Sequence, residues 1–125
     1  MSFVQSELLE VKRIQGKGRG VFARRFIAEG TIIERVPVLV VPSDEIGDDE
    51  LLARYCFHWG KQTLGFALGY GSLYNHSYRP NAEYRDLSPQ TKEFIAIRDI
   101  PAGEEVTINY NGDIGDGTPI GFDVR

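Results

Sequence analysis

The amino-acid sequence predicts a mainly β, compact, single-domain protein with one or two short helices. Three observations lead there. Short apolar runs rich in Val and Ile alternate with Gly- and Pro-containing breaks, the pattern of many short strands. Only one stretch has apolar residues at helical spacing. Within 125 residues there is no compositional boundary, repeat or low-complexity run, so residues 1–125 are read as one domain, with a core of about 8–110 and a tail over 111–125.

The elements follow in order. Leu8 to Ile14 reads as a strand, and Gly16 to Gly20 as a glycine-rich turn, with Val21 to Ala23 extended after it. Glu29-Gly30 turns the chain into Thr31 to Val36, rich in β-branched residues. Val38 to Val41 is expected as a separate strand, because Pro37 and Pro42 bracket it and proline cannot donate to a central ladder. Asp44 to Phe57 is the helix candidate: acidic residues crowd its start, where the helix dipole favours them, and Leu51, Leu52, Tyr55 and Cys56 follow at helical spacing. Leu64 to Leu68 is apolar. Ala82 to Asp86 and Lys92 to Arg98 read as two strands joined at Ser88-Pro89. After Pro101-Ala102-Gly103, Val106, Ile108 and Tyr110 alternate onto one face. The tail is Gly- and Asp-rich, with Ile120 and Phe122 as its apolar anchors.

Composition narrows the function classes. At 42% hydrophobic and 26% charged residues the chain is ordinary for a globular protein. No apolar run approaches the length of a membrane span and Met1 to Glu10 lacks a signal-peptide pattern, so an intracellular, soluble protein with no membrane partner is expected. A net charge of −4 argues against direct nucleic acid binding through phosphates. Cys56 is the sole cysteine, which rules out an internal disulfide and a cysteine zinc cluster, and no metal is expected. Asp44, Glu45, Asp48, Asp49 and Glu50 form an acidic stretch, and Asp113 and Asp116 lie in the tail. This is either a solvated face or an attraction for a basic peptide.

Three segments carry more polar chemistry than packing requires. In Gly16-Lys17-Gly18-Arg19-Gly20 the glycines permit a tight turn, or a close backbone approach to a ligand. Tyr74-Asn75-His76-Ser77-Tyr78-Arg79-Pro80-Asn81-Ala82 sets amide, imidazole and phenol groups between apolar runs, either to hold a loop or to bind a ligand. Gly103-Glu104-Glu105-Val106-Thr107-Ile108-Asn109-Tyr110 is a turn and a half-buried strand ending in tyrosine. None of the three decides a function alone.

In this order, and with Phe94 to Ala102 between the second and third, these segments resemble the SET-domain protein-lysine methyltransferases over about Leu8 to Tyr110. In length the chain resembles the minimal viral and bacterial members. The resemblance implies a SET-domain β-clip of short strands and small sheets. Its C-terminal strand threads a preceding loop as a pseudoknot, an exception to unthreaded topology, and brings Asn75-His76 beside Tyr110.

The resemblance also implies S-adenosyl-L-methionine as cofactor, held by Lys17, Gly18, Arg19, Gly20, Asn75, His76, Tyr110 and, from the tail, Phe122. Tyr110 is implied as the catalytic tyrosine, with Tyr55 as a second. Tyr55, Tyr84 and Ile95 are implied to line the channel for the substrate lysine. The implied substrate is a histone or other basic protein or peptide. The competing reading is a silent SET-like module that binds peptide or cofactor. The chain departs from the family pattern in three places: its tail has no cysteines, Tyr78 stands where cysteine is frequent, and Asn109 precedes the catalytic tyrosine where aspartate is common.

The short viral relatives dimerise, and Phe57, Trp59 and Phe66 could form such a surface here or simply be core. A homodimer is therefore expected in sedimentation equilibrium. A single 14 kDa species persisting at high concentration would exclude it.

Overall fold

A computed structural model of the chain describes residues 3, 6–16 and 18–110. Nine strands and two short helices appear among them. They are β1 (Leu9–Ile14), β2 (Gly18–Ala23), β3 (Ile32–Pro42), α1 (Ser43–Ile46), α2 (Glu50–Ala53), β4 (Phe57–His58), β5 (Thr63–Ala67), β6 (Asn75–His76), β7 (Ala82–Leu87), β8 (Thr91–Ala96) and β9 (Thr107–Ile108).

The strands form three sheets. The largest is antiparallel, in the order β4-β5-β3-β8-β7. β1 and β2 form a hairpin, so the glycine-rich turn is shorter than expected and Gly18 already belongs to β2. β6 and β9 pair in parallel. Few, short helices and mostly strands in small sheets agree with the mainly β fold that the sequence predicts.

Two elements differ from expectation. The strands expected on either side of Pro37 are one strand, β3. Pro37 is tolerated because β3 changes partner there: Ile32 to Pro37 pair with β8, and Val38 to Pro42 pair with β5. The proline's missing N–H thus falls at the changeover between two ladders. The helix expected over Asp44 to Phe57 is broken into α1 and α2 at Gly47, whose φ of 56° no right-handed helix accepts. Asp49 caps the second piece, accepting from Leu52 N at 3.0 Å.

One core lies among all three sheets. Leu9, Val21, Ile27, Ile33, Val36, Tyr74, Phe94, Ile100, Val106 and Ile108 are its main buried side chains. The hairpin joins the rest through backbone bonds: Ala23 N donates to Glu104 O at 2.9 Å, Gly103 N to Ala23 O at 2.7 Å, and Val106 N to Val21 O at 2.7 Å. Ile27 and Ile100 bridge in the same way.

A buried asparagine fixes the meeting of the second and third motifs. Asn81 Nδ2 donates to Glu104 Oε2 at 2.8 Å and to Glu105 O at 2.7 Å, while its Oδ1 accepts from Thr107 N at 2.9 Å. Removing it leaves buried backbone groups without partners. The variant Asn81→Ala is expected to lose about 3 kcal/mol of stability by urea denaturation, roughly one per lost bond. A loss below about 1 kcal/mol would show that water replaces the amide at no cost.

Candidate active site

The parallel pair β6–β9 builds the site. Asn75 lies opposite Thr107 and His76 opposite Ile108, and Ser77 N donates to Ile108 O at 2.9 Å. Two residues beyond β9, Tyr110 N donates to His76 Nδ1 at 2.9 Å. Because Nδ1 accepts, the neutral ring carries its proton on Nε2. Burial pushes the His76 pKa down, which keeps the ring neutral. His76 is 5% exposed, and its Nε2 has no hydrogen-bond partner among the described residues. The rings of Tyr78 and Tyr110 flank it, with centroids 4.3 and 5.1 Å away.

Tyr110 is held at both ends. Its hydroxyl donates to the backbone oxygen of Tyr74, and its own backbone oxygen accepts from the Tyr84 hydroxyl at 3.3 Å. Burial, then the neighbouring Tyr55 and Glu105, raise its pKa to about 12. Tyr84 is raised to about 12 as well, by burial and then Asp86. At neutral pH, therefore, only roughly one Tyr110 in 10⁵ is ionised. Tyr110 is thus a neutral phenol at neutral pH, with its hydroxyl donating to Tyr74 O.

The glycine-rich segment closes one side. Asn75 Nδ2 donates to Arg19 O at 3.0 Å and to Glu105 Oε2 at 2.7 Å. Gly20 is required by this contact: a Cβ there would stand 2.5 Å from Glu105 Oε2 and 3.0 Å from Asn75 Nδ2. The Asn75 amide thus joins β2 to Glu105, just before β9.

Arg19, Gly20, Asn75, His76 and Tyr110 come together, with Tyr84 and Tyr55 beside Tyr110, while Gly18 pairs with Ile14 at the hairpin end. Ile95 does not join them. It pairs with Glu83, whereas Tyr84 pairs with Phe94, so Ile95 faces the opposite side of the sheet from Tyr84. Lys17 and Phe122 lie outside the described residues.

Glu34 is a contributor that the sequence pattern gave no reason to single out. It sits in β3 among apolar residues and is 1% exposed. The Tyr74 hydroxyl donates to its Oε2, and Tyr70 N donates to its Oε1 at 3.1 Å. Glu34 thus holds the side chain of Tyr74, whose backbone oxygen accepts from the Tyr110 hydroxyl. Its only sequence signal is a carboxylate in a strand otherwise suited to burial.

The comparisons with known proteins agree with this geometry. A family model described as the SET domain matches residues 18–111. The chain belongs to the SET-domain family. It is 36% identical over 106 residues to "Histone-lysine N-methyltransferase, H3 lysine-37 specific" of Schizosaccharomyces pombe, covering 82% of this chain and 72% of that protein. It is 32% identical over 98 residues to "Histone-lysine N-methyltransferase set9" of Aspergillus fumigatus, covering 74% of this chain but 16% of that longer protein. A crystal structure of a Plasmodium falciparum protein assigned as a histone methyltransferase superposes with a TM-score of 0.70 at 30% identity, over 86% of this chain and 95% of that one. Within the SET-domain family, the chain is a protein-lysine methyltransferase. Among the described residues, no helix is long and apolar enough to cross a membrane.

The Glu34 environment has a measurable consequence. Burial raises its pKa from 4.5 to about 7, against the lowering effect of the Tyr74 and Tyr70 hydrogen bonds. A raised folded-state pKa means that the folded state holds the proton more tightly. Its contribution is therefore fully present below pH 4.5 and is lost as pH rises to about 7. The displacement corresponds to roughly 3 kcal/mol. The variant Glu34→Gln, neutral throughout, is expected to lack this decline when urea stability is measured from pH 4.5 to 8. Parallel pH curves for variant and wild type would refute the assignment.

Proposed function

We propose that this SET domain transfers a methyl group from S-adenosyl-L-methionine to the side-chain amine of a lysine in a basic protein, with a histone as the leading candidate. The observation that carries the reading is the junction of His76 and Tyr110. It offers a neutral, buried imidazole N–H without a partner among the described residues, beside a neutral phenol held at both ends. A buried donor of this kind calls for an acceptor from a ligand, and S-adenosyl-L-methionine has acceptors in its adenine ring and its carboxylate. The neutrality of His76 suits a cationic donor molecule, which a protonated imidazole would repel.

When bound, S-adenosyl-L-methionine supplies an electrophilic methyl group on a sulfonium. The chain's own residues must then deliver a neutral amine in line with it. A free lysine is neutral in only about one molecule in 2,500 at pH 7, a deficit of roughly 4.6 kcal/mol. A channel walled by Tyr55, Tyr84 and Tyr110 lowers the amine's pKa by removing water. The Tyr110 phenol and nearby backbone oxygens orient the lone pair, and fixed geometry contributes several kcal/mol more. The amine's proton leaves to solvent before transfer, since Tyr110 and Tyr84 are both protonated at neutral pH. Gly18, Arg19 and Gly20 are assigned to the donor side, together with Asn75 and His76.

The choice of a basic substrate is supported by Asp44, Glu45, Asp48 and Asp49, all exposed around α1 and its exit. The charge of the relatives' named substrates agrees with it, since the curated matches are called histone-lysine methyltransferases.

Methyl transfer from labelled S-adenosyl-L-methionine to histone peptides is the direct test. Tyr110→Phe is expected to reduce kcat by about 100-fold, the scale for losing one positioned hydrogen-bonding group. Wild-type rates in that variant would remove the Tyr110 hydroxyl from the mechanism.

A further inference from the structure

Lys92 in β8 is fully buried, and no step described above uses it. A buried ammonium needs compensation. One source is Asp86, its cross-strand neighbour, which bonds Nζ but is itself half exposed. The other is aromatic. Nζ stands 3.9 Å from the ring centroid of Tyr84, 4.0 Å from that of Phe57 and 5.6 Å from that of Trp59. These are cation–π distances, and the attraction strengthens where water is excluded. Phe57 and Tyr84 also meet edge to face, with centroids 5.0 Å apart. The ammonium is thus the common contact of β4, β7 and β8.

Stability does not account for this arrangement. Burial pushes the Lys92 pKa below its ordinary value, although the hydrogen bond and charge of Asp86 oppose the shift. A methionine has nearly the same length and no charge to desolvate, and the Asp86 carboxylate it leaves behind is half exposed and returns to water, so no uncompensated buried charge remains. What distinguishes the cage is its wall. The Tyr84 ring that faces Lys92 carries, at its other end, the hydroxyl that donates to Tyr110 O.

We propose that Lys92 is a positioning residue for methyl transfer: its ammonium clamps Tyr84 and Phe57 together, and so fixes the Tyr84 hydroxyl against Tyr110 and the room left for the acceptor amine. The inference rests on the reading of Tyr84 and Tyr110 as walls of the lysine channel. Without the clamp, Tyr84 has the freedom to turn away. In-line delivery then suffers, and a wider channel admits amines that already carry methyl groups.

The test is Lys92→Met in the full chain. Its urea midpoint is expected to equal or exceed that of wild type. Its kcat with a histone peptide is expected to fall about tenfold, with KM changed by less than about twofold, the pattern of a lost transition-state contribution. Mass spectrometry of the product is expected to show a shift toward higher methylation states. A folded variant with wild-type kcat and product pattern would overturn the proposal. Should Lys92→Met fail to fold, Phe57→Leu removes one wall of the clamp, and the same kcat loss and product shift are required of it.

A readout independent of activity separates this proposal from the reading beneath it. In wild type, the Lys92 ε-methylene protons are expected upfield in the NMR spectrum, shifted by the Tyr84 and Phe57 rings. Ordinary chemical shifts there would refute the clamp even in an active enzyme. An inactive wild type with the shifted signals would instead refute the function and leave the clamp standing.

Discussion

The parallel pairing of Asn75–His76 with Thr107–Ile108 is the constraint on which the other features rest. Parallel strands require a long connection, and here that connection is the whole β7–β8 hairpin and the turn at Gly103. Two strands of two residues cannot hold themselves together. They persist because Asn81 ties the start of β7 to Glu104, Glu105 and Thr107, and because Val106 and Ile108 are completely buried. Once the pairing exists, His76 must face Tyr110 and Asn75 must face Arg19 and Glu105. The site is therefore an outcome of long-range topology, and each polar group in it has a structural as well as a chemical duty.

Three buried polar side chains carry most of that duty: Glu34, Asn81 and Lys92. Each costs desolvation that an apolar residue would avoid. Asn81 recovers the cost through three hydrogen bonds. Glu34 recovers part of it by organising Tyr70 and Tyr74, and its pKa near 7 shows that the compensation is incomplete. Lys92 relies on aromatic faces and a half-exposed aspartate. Two of the three lie directly behind tyrosines that touch Tyr110 through hydrogen bonds. Incomplete compensation next to a reacting centre is the pattern expected where stability is traded for position.

The legibility of the site in the sequence was uneven, for physical reasons. The motif residues stand out because Asn and Gly are poorly suited to strands and because His and Tyr bring polar groups between apolar runs. Glu34 and Lys92 do not stand out, because a charged residue in a half-buried strand normally faces water and only the partners across the sheet reveal otherwise. Ile95 is implied as a channel residue by the family resemblance, yet pleating sends it to the face opposite Tyr84. Pro37 misleads in the other direction: proline forbids a donor in a ladder, and the chain meets that prohibition by exchanging one ladder for another at that residue.

By itself the sequence determined the β-rich fold class, the short strands, the family and the polar residues from which the site is made. These follow from local properties: alternation, β-branching, turn residues and side-chain chemistry. Tertiary structure alone decided the continuity of β3 through Pro37, the burial of Glu34 and Lys92, and the tautomer of His76 and the open Nε2 it has among the described residues. Those depend on which distant segment arrives alongside, and a local pattern holds no information about its neighbour across a sheet.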